Sequence, residues 1–193
     1  SDAVVGVRVS AIEGARSSAT LGGQRQGSGV VIGSDGLVLT IGYLILEADE
    51  VQIVTDNGHE LPARVVAYDL ATGFGLLQAL APLKMEPAPF GQASAVSNDE
   101  PLMVASGGED GAVSVARLVS RRPFSGTWEY HIDDALFTAP ARRDHSGAAL
   151  FNGRGQLLGI GSLFVRDALG PQGLPSPGNM FVPVDLLAPV LAE

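Results

Sequence analysis

The chain has 193 residues, a formal net charge of −9, 25 glycines, 12 prolines and no cysteine. So acidic a chain carries no electrostatic footprint for nucleic acid or for an anionic membrane surface, and it offers neither a disulfide frame nor a thiolate metal site. Hydrophobic residues make up 46% of it, enough for a large core in one domain or two small barrels sharing a cleft. It begins at Ser1 with neither an initiator methionine nor a signal peptide, and reads as a mature or trimmed segment. The longest nearly apolar run, LVLTIGYLIL over 37–46, is about half the roughly 20 residues a membrane-spanning helix needs. It is read as a buried strand pair, and no membrane insertion is expected.

In chain order, AVVGVRV (3–9), GVVIG (29–33), LVLT (37–40), VQIVT (51–55), LPARVVAYD (61–69) and FGLLQAL (74–80) read as short strands. SDG at 34–36 and DNG at 56–58 are hairpin turns, where glycine supplies a positive φ without steric cost. The Pro/Ala/Ser-rich stretch 81–101 breaks every period and is read as the crossing between two halves, 1–95 and 96–193.

Strands resume at LMVASG (102–107), AVSVARLVS (112–120), WEYHI (128–132), GAALF (147–151), QLLGIGSLFV (156–165) and NMFVPV (179–184). SGGEDG (106–111) reads as a turn, NGRG (152–155) as a hairpin and ALGPQGLPSPG (168–178) as a surface loop. DLLAPVLAE (185–193) is expected to be a terminal helix capped by Asp185. Many short strands with little helix predict an all-β sandwich or barrel.

Four stretches in order carry a resemblance: GSGVVIGSDGLVLT (27–40), the run 48–77 ending in DLATGFGLL, DHSGAALFNGRGQLLGI (144–160) and GNMFVPVDLLAPVL (178–191). They are similar to the trypsin-like serine proteases of the HtrA type. The resemblance implies two six-stranded antiparallel β-barrels packed at right angles, with base and orienting acid on the first and nucleophile on the second. It also implies a peptide or protein as the partner, no cofactor, a bacterial envelope location and a trimer as one option for assembly. The PDZ domain that often follows in the family is not expected within this chain.

Acyl transfer by serine needs a base within hydrogen-bond reach, an acid to orient the base, and two donors for the oxyanion. The resemblance puts the nucleophile at Ser146, which is retained, the base at Tyr43 and the acid at Gly73. A phenol, with a pKa near ~10, is protonated at neutral pH. The glycine whose N–H serves the oxyanion hole is Asp144, and the family's second glycine after the serine is Ala148. Losing the base alone costs such an enzyme roughly 10⁴–10⁶ in kcat.

His145, His131 and His59 read as exposed or core-edge histidines, and Asp133 with Asp134 as a solvated loop. The histidines have no metal-ligand spacing. Arg121 with Arg122 and Arg142 with Arg143 form two basic pairs, the second placed to hold Asp144. The sequence therefore predicts an HtrA-type homologue that has lost catalysis and keeps a cleft for peptide or protein binding, scaffolding or regulation. Two alternatives stand beside it: a serine endopeptidase using Ser146 with an unconventional base, and an unrelated all-β binding module.

Overall fold

The computed structural model describes residues 3–12, 14, 23–108, 110–125, 131–166, 168–169, 176–187 and 191. The first barrel is closed by β1 (Val4–Ala11), β2 (Gln24–Val31), β3 (Leu37–Ile41), β6 (Phe74–Ala79), β5 (Glu60–Tyr68) and β4 (Ala48–Val54), in that spatial order. The second is closed by β10 (Ala149–Phe151), β11 (Leu157–Val165), β12 (Gly178–Pro183), β9 (His131–Ala139), β8 (Val113–Ser125) and β7 (Pro101–Ala105). Every strand pairing is antiparallel. Closure leaves neither barrel with an open outer strand.

The three hairpins fall where their glycines stand, with φ of +89° at Gly36, +83° at Gly58 and +76° at Gly155. Between β7 and β8 the Gly111 N–H donates to the Gly108 carbonyl at 3.1 Å, as the expected turn requires.

Period-two alternation divides the core in two. Leu136, Leu150, Leu158 and Phe181 point into the second barrel with Leu102 and Leu118. Their strand neighbours Phe137, Ala149, Phe151, Leu157, Met180 and Val182 join the cluster that fills the first barrel around Val5, Leu39, Ile53 and Leu77. These second-barrel strands are thus buried on both faces, one against their own interior and one against the other barrel, and read as continuous apolar runs.

Several sequence expectations meet a different structure. The run 37–46 is one strand, β3, followed by a 3₁₀ turn over Gly42–Ile45 that buries Leu44 and Ile45 instead of folding back as a second strand. Asp133 and Asp134 lie inside β9, whose next residues Ala135–Thr138 are buried; Asp134 points to solvent from the strand. The expected strand over 128–132 therefore begins later, and 126–130 lie outside the described residues. At the C-terminal end Val184–Leu186 form a 3₁₀ turn, Leu187 and Leu191 are helical, and the other residues of the expected helix lie outside the described ones. Asp185 caps a different element: its carboxylate accepts the N–H groups of Ala93 (2.9 Å) and Ser94 (3.1 Å) at a 3₁₀ turn, Ala93–Ala95, within the crossing. No helix among the described residues is long and apolar enough to cross a membrane.

Candidate active site

Ser146 sits on the loop between β9 and β10, and the loop is fixed by its backbone. The Ser146 carbonyl accepts from Ser28 N–H at 2.9 Å, so the loop is fastened to β2 of the other barrel. Gly147 N–H donates to the Gly161 carbonyl at 2.9 Å. Gly147 has φ +74°, and a Cβ there would stand 1.9 Å from the Ser28 carbonyl oxygen. Only glycine fits this turn beneath the serine. Thr40 completes the seam by donating from Oγ1 to the same Ser28 carbonyl at 2.7 Å.

Tyr43 reaches the loop from the first barrel. It stands on the 3₁₀ turn Gly42–Ile45, packed against the apolar core. Arg25, only 5% exposed, holds that turn by donating from Nη1 to the carbonyls of Leu46 (2.7 Å) and Tyr43 (3.3 Å). Burial lowers the Arg25 pKa from its ordinary value, and the carboxylate of Glu47 opposes that. The Tyr43 and Ser146 hydroxyls form a short hydrogen bond, and the Tyr43 hydroxyl also donates to the Ser162 carbonyl at 2.9 Å. A carbonyl can only accept, and a phenol has one proton. The proton therefore belongs in the bond to Ser162, and Ser146 donates its own to the phenol oxygen.

Gly73 lies beside this pair but offers backbone only. Its carbonyl accepts from Gly42 N–H at 2.6 Å, and its N–H donates to the Asp69 carbonyl at 2.8 Å. The nearest carboxylate in sequence, Asp69, is held by Thr72 through its N–H (3.1 Å) and hydroxyl (2.6 Å).

Asp144 has no positive φ, so its Cβ costs the loop nothing there. Its carboxylate turns away from the serine toward Arg142, which donates from Nε (2.8 Å) and Nη2 (2.6 Å), and toward the Ser106 hydroxyl (2.7 Å). These contacts, Arg142 first, hold the Asp144 carboxyl below the usual carboxylate range against a desolvation cost. Arg142, one of the basic pair the sequence placed beside the loop, draws this charge aside. Among the described residues the N–H of Ser146 has no hydrogen-bond partner.

Among the described side chains no histidine serves the serine. His145 places Nδ1 3.1 Å from the Arg142 carbonyl, and its pKa is lowered chiefly by burial. His59 lines a groove of about 680 Å³ with Asp56, Lys84 and Ser106. The side chain of His131 lies outside the described residues. Neither that groove nor one of about 830 Å³ near Phe90 and Arg154 is lined by Tyr43 or Ser146. Among the described residues no cluster of three or more His, Asp and Glu could hold a metal ion. Sequence reasoning missed Arg25 and Ser162. The first is a lone cation in a buried strand, a signal that was available; the second acts through its backbone, which no side-chain pattern reveals.

Two six-stranded barrels with a serine loop fastened across their seam define a trypsin-like architecture. The chain belongs to the trypsin-like peptidase domain family, which matches residues 27–160, and its homology is of the HtrA type. It is 30% identical over 154 residues to a probable periplasmic serine endoprotease, DegP-like, of Brucella suis, covering 77% of this chain and 29% of that protein. It is 29% identical over 159 residues to the periplasmic pH-dependent serine endoprotease DegQ of Escherichia coli, covering 80% of this chain and 35% of that one. The chain thus spans about a third of these relatives' length. Among solved structures, the HtrA-type protease AlgW with a tripeptide superposes with a TM-score of 0.79 at 19% identity over 99% of this chain and 59% of its own. The MamO protease domain from Magnetospirillum magneticum gives 0.74 at 21% identity, covering 100% and 97%. The alternative of an unrelated all-β module is overturned by the two closed barrels and the family match.

Proposed function

We propose that this chain is an HtrA-type homologue that does not cleave peptide bonds and uses its cleft to bind an extended peptide or protein segment, as a scaffold or as a regulator of another protease. One observation carries the reading. The Ser146 hydroxyl donates to a phenol whose own proton is committed to Ser162. A neutral phenol oxygen is a far weaker base than imidazole, so no proton leaves the serine as it attacks. Gly73 supplies no carboxylate to orient a base, and Asp144 is engaged elsewhere. The names of the relatives support a periplasmic location for the chain. The test is a fluorophosphonate probe and an unfolded protein substrate at neutral pH, with Ser146→Ala as control. No labelling and no cleavage are expected; stoichiometric labelling of Ser146 overturns the reading.

The same contact favours a second reading, in which Tyr43 as phenolate takes the proton. Hydrolysis would then climb with pH toward the phenol range near ~10 and vanish in Tyr43→Phe.

A further inference from the structure

Phe90 stands in the crossing between the barrels and is 45% exposed. The backbone around it is fixed. The Pro89 carbonyl accepts from Leu157 N–H at 2.7 Å and Gly91 N–H donates to the Leu157 carbonyl at 2.9 Å, so the segment lies along the start of β11. Gly91 lets it lie flush, since a Cβ there would stand 3.0 Å from Gln156 Cβ and from Leu158 Cδ2. Phe90 is shared by two grooves. One, of about 830 Å³, is also lined by Glu100, just before β7, and by Arg154, on the hairpin between β10 and β11. The other, of about 410 Å³, is lined by Val184, Leu187 and Leu191. Neither groove includes a residue of the serine site.

Glu100 and Arg154 are opposite charges in one groove that do not meet each other. The Glu100 carboxylate accepts from Ser97 N–H at 3.4 Å, and among the described residues neither side chain makes an ion pair. A chain of net charge −9 repels its own copies, so self-association needs opposite charges set against each other at the contact. A two-fold axis meets that need with these two residues alone, because it sets the first against the second and the second against the first. We infer that this face pairs with a second copy of the chain: Phe90 of each copy enters the larger groove of the other, and Glu100 of each meets Arg154 of the other. An aromatic held out on a fixed backbone, with charges around it, has the anatomy of such a contact, an apolar anchor inside a polar rim. The inference goes beyond the binding role proposed above and does not depend on it.

Sedimentation velocity of the chain across a dilution series tests this, with Phe90→Ala, Glu100→Arg, Arg154→Glu and the double variant that carries both reversals. Wild type is expected to pass from monomer to dimer as its concentration rises. Phe90→Ala removes the anchor and is expected to weaken the dimer about tenfold or more. Each single reversal sets like charges together at two places and is expected to weaken it by about tenfold. The double variant exchanges the signs, restores both pairs and is expected to return to within about threefold of wild type. A fold damaged by either reversal is not repaired by adding the other, so recovery reports the contact itself. A chain that stays monomeric at every concentration overturns the pairing and leaves the groove to another occupant. A dimer indifferent to Phe90→Ala, or a double variant as weak as its parents, moves self-association to another face and sinks the inference. An assembly of any number other than two contradicts the two-fold axis.

Discussion

The hydroxyl of Tyr43, from the first barrel, and that of Ser146, from the second, share one short hydrogen bond, and the same phenol donates onward to Ser162 at 2.9 Å. A position that the family resemblance gives to proton transfer has become a cross-tie between barrels. Tyr43→Phe deletes both bonds while keeping the ring. The expected loss is about 1–2 kcal/mol, from two neutral hydrogen bonds in a partly buried seam. Ser146→Ala deletes only one and should cost about half as much. Urea unfolding midpoints of the two variants check the order; a larger loss for Ser146→Ala contradicts it.

Reinstalling the missing groups asks whether the scaffold still supports catalysis. Tyr43→His places an imidazole on the turn that already reaches Ser146. Gly73→Asp is harder, because Gly73 has φ +83° and an L-residue there costs roughly 1–2 kcal/mol. The double variant is expected to show slow hydrolysis of an activated ester, lost when Ser146→Ala is added, together with a lowered unfolding midpoint traceable to Gly73→Asp. Ester turnover unaffected by Ser146→Ala would show that the loop no longer presents its serine.

Arg142 is the internal brace of the serine loop. Its side chain, 12% exposed, donates to the Ser114 hydroxyl (3.0 Å), the Ala112 carbonyl (3.1 Å) and the half-exposed Asp144 carboxylate. Arg142→Ala strands these acceptors and is expected to cost about 1–3 kcal/mol. Arg142→Lys should recover only part, since an ammonium cannot span partners in the planar fork of a guanidinium. Asp144→Ala in the Arg142→Ala background should cost little more, because the two act as one unit. Additive losses in that cycle, measured by chemical unfolding, would refute the coupling.

What the sequence disclosed follows a physical pattern. The hairpins were legible because glycine at positive φ is a local requirement, met at Gly36, Gly58 and Gly155. Strand spacing and a crossing without period predicted an all-β chain in two halves, and the pair of six-stranded barrels came from the family resemblance. The start of β9 was not legible, since Ala135–Thr138 are buried on both faces and show no alternation. The run 37–46 failed for a related reason: apolar content alone cannot separate a second strand from a 3₁₀ turn. The assignments of Tyr43 to the base position and Gly73 to the acid position came only with the family resemblance. The basic pair beside the loop hinted at a partner for Asp144, but the phenol donating to a backbone carbonyl depends on tertiary geometry that spacing does not encode.

His145, next to Ser146, makes stability depend on pH. Its imidazole is half-buried, and burial lowers its pKa more than the carbonyls of Arg142 and Arg143 and the charge of Asp144 raise it. The folded chain thus favours the neutral ring, while the unfolded chain titrates near ~6.5. Above that value both states are neutral and the contribution is complete. As pH falls below it the unfolded chain gains a proton that the folded chain resists, and the contribution is lost down through the lower folded pKa. Asp144, whose pKa is also lowered, acts in a separate window below the ordinary carboxylate value of about 3.9. Urea midpoints should therefore decline between pH 7.5 and pH 5, and the decline should be shallower in His145→Asn. Parallel declines in the two proteins would assign that pH dependence to other groups.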